Sequence, residues 1–355
     1  MADSIRVLPR ATGGLEMSAH TPDPILGGTG PGPVSLPDSS WRQQLGATLL
    51  GRFAPTRKAA AIEDDALAEE SGSAHGRWPV TQALLRSPGA VVGISVLAVI
   101  VLIALAAGVL YPGDPLDMAA QPLLAPGEDW QFPLGTDALG RDLAAGLAHG
   151  ARVSLLVGVT AALVSVLIGT LVGALAGYFG GRVDRALTWL IELFQTTPSF
   201  LLVVVVVSIT QSTVSIIAVV IGLTSWDTVA RLVRAEFRAL LSADFVLAAR
   251  SVGYSTRWII FREVLPNALP PIIITASVIV ASAILTESSL SFLGVGDPNK
   301  ISWGSMIGSG RDMLRSALYL TAIPGITLVI TVFSLNLVGD ALISALNPRL
   351  RGRTA

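Results

Sequence analysis

The 355-residue chain has no cysteine. That excludes disulfides, thiolate metal sites and cysteine nucleophiles together. It is also short of charge: Asp, Glu, Lys and Arg make up 14% of it, whereas a soluble domain carries about a quarter. The net charge of −1 provides no bulk electrostatic pull toward nucleic acid. The three histidines, His20, His75 and His149, are scattered without zinc spacing, and no nucleophile elbow with partners is present. Only two lysines occur, Lys58 and Lys300, followed by Ala59 and Ile301. Neither completes the Gly-x4-Gly-Lys-Ser/Thr loop whose backbone amides and lysine hold nucleotide phosphates. The chain is therefore expected to carry no catalytic residue, no metal and no ATPase of its own.

What the chain has in quantity is aliphatic bulk. It is 52% hydrophobic with 6% aromatics, so the apolar mass is Leu, Val, Ile and Ala, and mean hydropathy is +0.65. A membrane span needs roughly 20 apolar residues. Residues 89–111, 154–177, 187–209, 214–230, 268–293 and 317–343 read as six spans. The third is interrupted by Thr196, Thr197 and Pro198, and the fourth is the weakest because Asp227 lies near one end. Gly158, Gly169, Gly173 and Gly177 mark where helices approach closely. The expected fold is an all-α polytopic membrane protein of about six transmembrane helices.

The first 88 residues differ. Residues 1–40 are rich in Gly, Pro, Ser and Thr, and residues 59–76 are polar and acidic. Neither stretch has enough apolar surface to offset chain entropy, so both read as disordered. Between them Trp41, Leu45, Leu49 and Phe53 recur every four residues beside Arg42 and Arg52. That pattern fits a short amphipathic helix on a membrane surface, or a transient helix in a tail. The apolar run comes too late for a signal peptide.

Positive charge sets the orientation. With the N-terminus inside, the cytoplasmic flanks hold Arg77, Arg86, Arg182, Arg185, six arginines between Arg231 and Arg262, and Arg349, Arg351 and Arg353. The external loops hold only Arg141, Arg152, Lys300, Arg311 and Arg315. The positive-inside rule then places both termini in the cytoplasm. Trp189, Trp226, Trp303 and Tyr111 fall near run ends, as an aromatic belt requires.

Two connections are too long for simple turns: an external one, 112–153, and a cytoplasmic one, 231–265. Long ordered loops are usually functional. In the second, Ser242 can cap a short helix that has Asp244 in its first turn, and Gly253 can end it in a left-handed conformation. Ser255 or Thr256 can cap a second helix, which Pro266 is expected to stop. The product is two short helices joined by a tight corner. It reads either as a knob for another protein's groove or as a plain surface hairpin.

Residues 248–266, AARSVGYSTRWIIFREVLP, resemble the "EAA" loop of binding-protein-dependent ABC importer permeases. Ala248, Ala249, Gly253, Leu265 and Pro266 match; Leu247 stands where the pattern has Glu, and Glu263 where it has Ile. Residues 132–142, FPLGTDALGRD, resemble the external-loop signature of the C-type permease subunits for dipeptides, oligopeptides and nickel, in Gly135, Thr136, Asp137, Gly140, Arg141 and Asp142. The likeness continues through 150–158, 177–184, 230–234, 265–271, 287–296, 303–307 and 335–342, in order.

The resemblance implies a permease domain of the type I importer kind over 78–349, after an N-terminal extension (1–77) and before a cytoplasmic tail (350–355). It implies a second permease subunit, two ATPase subunits that use ATP and Mg, and an extracytoplasmic solute-binding protein, all around a chain lying in the cell membrane. It also implies that Ala243, Asp244, Leu247, Ala248, Ala249, Gly253, Tyr254, Ser255, Thr256 and Pro266 form the ATPase-coupling loop, with the corner at 243–256 as the coupling helix that enters an ATPase groove. The alternative is a gradient-driven secondary transporter or a channel, which tends to bury carboxylates at mid-membrane. Glu192, Asp227, Glu287 and Asp340 are the candidates; by chain distance none is central, and Glu287 falls near the outer edge.

Overall fold

The computed structural model describes Leu84 and residues 87–346. The N-terminal extension with its Trp41–Phe53 pattern, Arg77, Arg86 and the arginines from Arg349 onward lie outside the described residues. Among the described residues the α-helices are α1 (Pro88–Leu110), α2 (Leu143–Phe179), α3 (Gly181–Thr196), α4 (Ser199–Ile209), α5 (Val214–Leu241), α6 (Asp244–Ser251), α7 (Thr256–Phe292), α8 (Trp303–Gly310) and α9 (Tyr319–Leu346), with a 3-10 turn at Arg311–Met313 after α8. Five of them, α1, α2, α5, α7 and α9, are long and apolar enough to cross a membrane, and α3 with α4 form a bent pair that makes a sixth candidate. No named strand occurs among the described residues, only two isolated bridges in the loop after α1.

Four boundaries depart from the sequence reading. Helix α2 begins at Leu143 rather than 154. Its first turns contain His149 and Arg152, whose polarity hides the span, but Arg152 donates to Ala104 O and Leu105 O of α1 at 3.0 and 3.1 Å. The fourth span is the least apolar of the five single-helix candidates, as expected, but it is longer than 214–230. Helix α5 runs 28 residues, capped by the Thr213 hydroxyl, and Asp227 sits at its middle rather than near an end. Ser242 does not cap α6; it closes α5, its hydroxyl donating to Ala239 O at 2.8 Å, and the N-cap of α6 is Ala243 without a side-chain bond.

Pro266 does not stop α7 either. The helix continues through Pro266, Pro270 and Pro271 to Phe292, with a π-helical stretch at Ile259–Val264 just before. Membrane helices tolerate proline where local π turns and polar side chains satisfy the freed carbonyls. Here Asn267 Nδ2 donates to Glu263 O at 2.6 Å and Thr275 Oγ1 to Pro271 O at 2.9 Å.

The most extensive contact joins α2 to α5. Gly169, Gly173 and Gly177 line the meeting face one turn apart. A Cβ at Gly169 would lie 2.5 Å from Val229 Cβ, and one at Gly177 2.7 Å from Phe237 Cβ. Only glycine lets the backbones approach this closely, which is how helices associate in lipid, where apolar burial gives no net drive. Ser165 Oγ donates to Gly222 O across the same interface at 2.9 Å. Helix α7 packs on α2, α5 and α9, and α1 packs on α9 and α2. The third span breaks at Thr197 and Pro198 by 82°, where the sequence interruption falls.

Candidate functional site

The corner between α5 and α7 is anchored from below and open above. Val246 and Ala249 of α6 are buried in a cluster with Phe237, Ile259, Val264 and Ala268. The opposite face is exposed: Phe245, Leu247, Ala248, Val252 and Tyr254. Ala249 is therefore small for this chain's own packing, and Ala248 is the alanine that faces outward. Asp244 lies in the first turn of α6, where a carboxylate complements the helix dipole.

Gly253 closes α6 with φ +87°. Its N–H donates to Arg250 O at 3.0 Å and the Tyr254 N–H reaches back to Ala249 O at 3.2 Å. This pair of bonds is a Schellman ending. A Cβ on Gly253 would meet nothing within 4 Å, so the need for glycine is conformational and not steric. Ser255 then turns extended and its Oγ accepts from Trp258 N at 3.4 Å, which selects Ser255 over Thr256 as the cap of α7. Tyr254 stacks on Trp258 with ring centroids 3.9 Å apart. Pro266 lies in α7, beyond the corner, and takes no part in its geometry.

Asp184 of α3 buttresses the neighbouring end of α5. It accepts from Arg234 Nε at 2.5 Å and Nη2 at 3.1 Å, and from Arg238 Nη2. The sequence reading missed this triad. Its signal was present as two arginines four apart on one helix, which share a face.

The external-loop signature performs a different task. Thr136 is fully buried; its Oγ1 accepts from Leu124 N at 3.0 Å and donates to Gln121 O at 2.6 Å. Asp137 Oδ1 accepts from Leu139 N and Arg141 N at 2.8 and 2.9 Å. Gly135 and Gly140 both have positive φ, +81° and +77°, and a Cβ on either would run into a carbonyl, Leu124 O or Ala120 O. Asp142 caps α2 through Ala144 N at 2.8 Å. Burial pushes its carboxyl above the usual carboxylate range, against the Ala144 and Ala145 amides that pull it down. Tyr319 of α9 donates to Leu124 O and Thr136 O at 2.9 and 3.1 Å and ties the loop to the bundle. The six signature positions thus build a folded cap.

Glu287 is 2% exposed, inside α7, and its Oε1 accepts from Ser291 Oγ at 2.6 Å. It is a buried, bonded carboxylate packed between helices. Asp227 is brought to neither the corner nor the cap. It opens instead into a polar cleft beside the break between α3 and α4.

A bundle of apolar helices, with one broken span and an exposed two-helix corner, defines the class of polytopic helical membrane proteins. A family model described as "binding-protein-dependent transport system inner membrane component" matches residues 169–352, and one described as "N-terminal TM domain of oligopeptide transport permease C" matches 79–126. The chain belongs to the first of these families. It is 39% identical over 270 residues to the oligopeptide transport system permease protein OppC of Escherichia coli K12, covering 75% of this chain and 89% of that one. It is 37% identical over 276 residues to the di/tripeptide transport system permease protein DppC of Pseudomonas aeruginosa, covering 76% and 91%. The OppC protein of Mycobacterium tuberculosis H37Rv is 37% identical, with 78% and 95% covered. A solved structure of the inward-facing MetNI methionine ABC transporter overlaps 57% of this chain and 96% of its own at 20% identity, with a TM-score of 0.48.

Proposed function

We propose that the chain is one permease subunit of an ATP-driven importer for peptides, pairing with a second permease subunit to form the pathway. The family carries this reading, together with relatives named for oligopeptide and di/tripeptide transport. Energy comes from two separate ATPase subunits that bind the ATP and Mg; this chain binds neither. Those subunits dock on the corner from Ala243 to Thr256, whose exposed apolar side chains on a buried anchor suit a partner's groove. A solute-binding protein delivers cargo at the other side, near the cap over residues 112–142. Both termini are cytoplasmic, since the corner's arginines then face inward.

The test is uptake of labelled dipeptide in cells with and without this chain. ATP-dependent uptake that disappears on deletion and returns on complementation supports the reading. Uptake that persists with ATP depleted and needs a proton gradient overturns it. Orientation has its own check in this cysteine-free chain: Ala138→Cys should react with an impermeant thiol reagent in intact cells, and Ala243→Cys should not. The opposite labelling pattern would reverse the topology.

A further inference from the structure

We propose that the cleft at the broken third span is a recognition site for zwitterionic cargo, with Asp227 receiving an ammonium group and Arg231 a carboxylate. The proposal rests on the peptide-importer reading and adds to it where, and by which groups, the cargo is held inside the membrane pathway.

Asp227 lies thirteen residues from one end of α5 and fourteen from the other, about 20 Å from each at 1.5 Å per residue. A carboxylate buried among apolar helices is costly unless it is partnered or serves a function. Asp227 is 8% exposed, yet it makes no hydrogen bond and no ion pair among the described residues. It borders a cleft of about 510 Å³ whose walls include Gln195, Thr197, Thr224, Arg231 and Ser282. That volume lies within the range of small-molecule sites, about 300–1,000 Å³.

Arg231 is one turn further along the same helix and lines the same cleft. Its Nη1 donates to Gln195 Oε1 at 3.3 Å and not to Asp227. The cleft thus presents an unpaired carboxylate and a guanidinium side by side, surrounded by hydroxyls and an amide. A ligand carrying both charges at a short spacing satisfies both, and a free dipeptide is such a ligand. The 82° break supplies the room, because α3 ends and α4 begins where an unbroken helix would fill the space. Irregular backbone at membrane depth is tolerated where it lines a water-filled cavity.

The complete transporter, with its partner permease, ATPase subunits and binding protein, is reconstituted in proteoliposomes, and uptake of labelled dialanine and of dialanine amide is measured. Asp227→Asn should lower dialanine uptake about tenfold, the loss expected for one charged hydrogen-bonded contact, and Asp227→Glu should recover most of it. Arg231→Gln should raise amide uptake relative to free dialanine. The binding protein contributes equally to that ratio in every variant, so a change in it belongs to the cleft. Unchanged uptake in Asp227→Asn, or an unchanged ratio in Arg231→Gln, overturns the proposal while leaving the importer intact. Failure of Asp227→Asn to assemble with the second permease makes Asp227 an intersubunit contact and also overturns it. If the unsubstituted transporter takes up no dipeptide, the peptide reading itself fails.

Discussion

The loop between α1 and α2 and the corner between α5 and α7 both carry motifs of one family, yet they are built in opposite ways. In the loop, the motif residues turn inward. Thr136 is buried and bonded twice, Asp137 folds a turn onto itself, and Tyr319 fastens the assembly to α9. In the corner, only Val246 and Ala249 turn inward; Phe245, Leu247, Ala248, Val252 and Tyr254 face out, and the backbone is closed by one Schellman ending. Similar strings of motif letters therefore mean a folded cap in one place and an offered surface in the other. A substitution in the loop should cost stability, and one in the corner should cost coupling.

Gly140→Val breaks the comparison hardest. It forces a β-branched residue to φ +77° and drives its Cβ into Ala120 O. Left-handed strain costs about 1–2 kcal/mol and overpacking about 1–3 kcal/mol. The purified protein in detergent should unfold well below the unsubstituted one, or fail to accumulate. Next is Thr136→Val, which keeps the shape but leaves Leu124 N and Gln121 O without their partner. Leu124 is half-buried and Gln121 exposed, so the loss is about 1–3 kcal/mol for the pair rather than for each. Thermal melting should fall clearly, with membrane insertion preserved.

Gly253→Val should cost least in stability. Its Cβ enters open space, so only the conformational strain of about 1–2 kcal/mol remains, and part of that is relieved by distortion of the corner. Insertion and pairing with the second permease should survive while peptide uptake and ATPase copurification both fall. Ala239→Val, just outside the corner, serves as the control. Full uptake and full ATPase retention in Gly253→Val would remove the corner from the mechanism and collapse the contrast between the two regions.

Much of this was legible in the sequence, and the exceptions share a cause. The interruption at Thr196–Pro198, the close-packing glycines and the left-handed turn at Gly253 are local properties, and each appears where the residues put it. The start of α2, the length of α5 and the passage of α7 through three prolines are not local. They depend on Arg152 finding carbonyls on α1, on Asp227 lying beside a cleft, and on side chains and a π stretch compensating for proline. The same holds for the sites. The loop motif could be recognised by its letters, but that its residues point inward is visible only once Leu124, Ala120 and Tyr319 are in place. The Asp184 triad joins residues 50 and 54 positions apart in the chain.

The central claim is that the exposed face of the corner is covered by the ATPase subunits, and the chain's lack of cysteine makes the measurement clean. Val252 is 75% exposed at the tip of α6, and Trp130 is 99% exposed in the loop between α1 and α2. Val252→Cys and Trp130→Cys are each labelled with a soluble thiol reagent, in the purified permease pair and in the pair carrying its ATPase subunits. The account predicts that Val252→Cys labels readily without the ATPase subunits and much more slowly with them, whereas Trp130→Cys labels at one rate in both. Equal labelling of Val252→Cys in the two assemblies would contradict it.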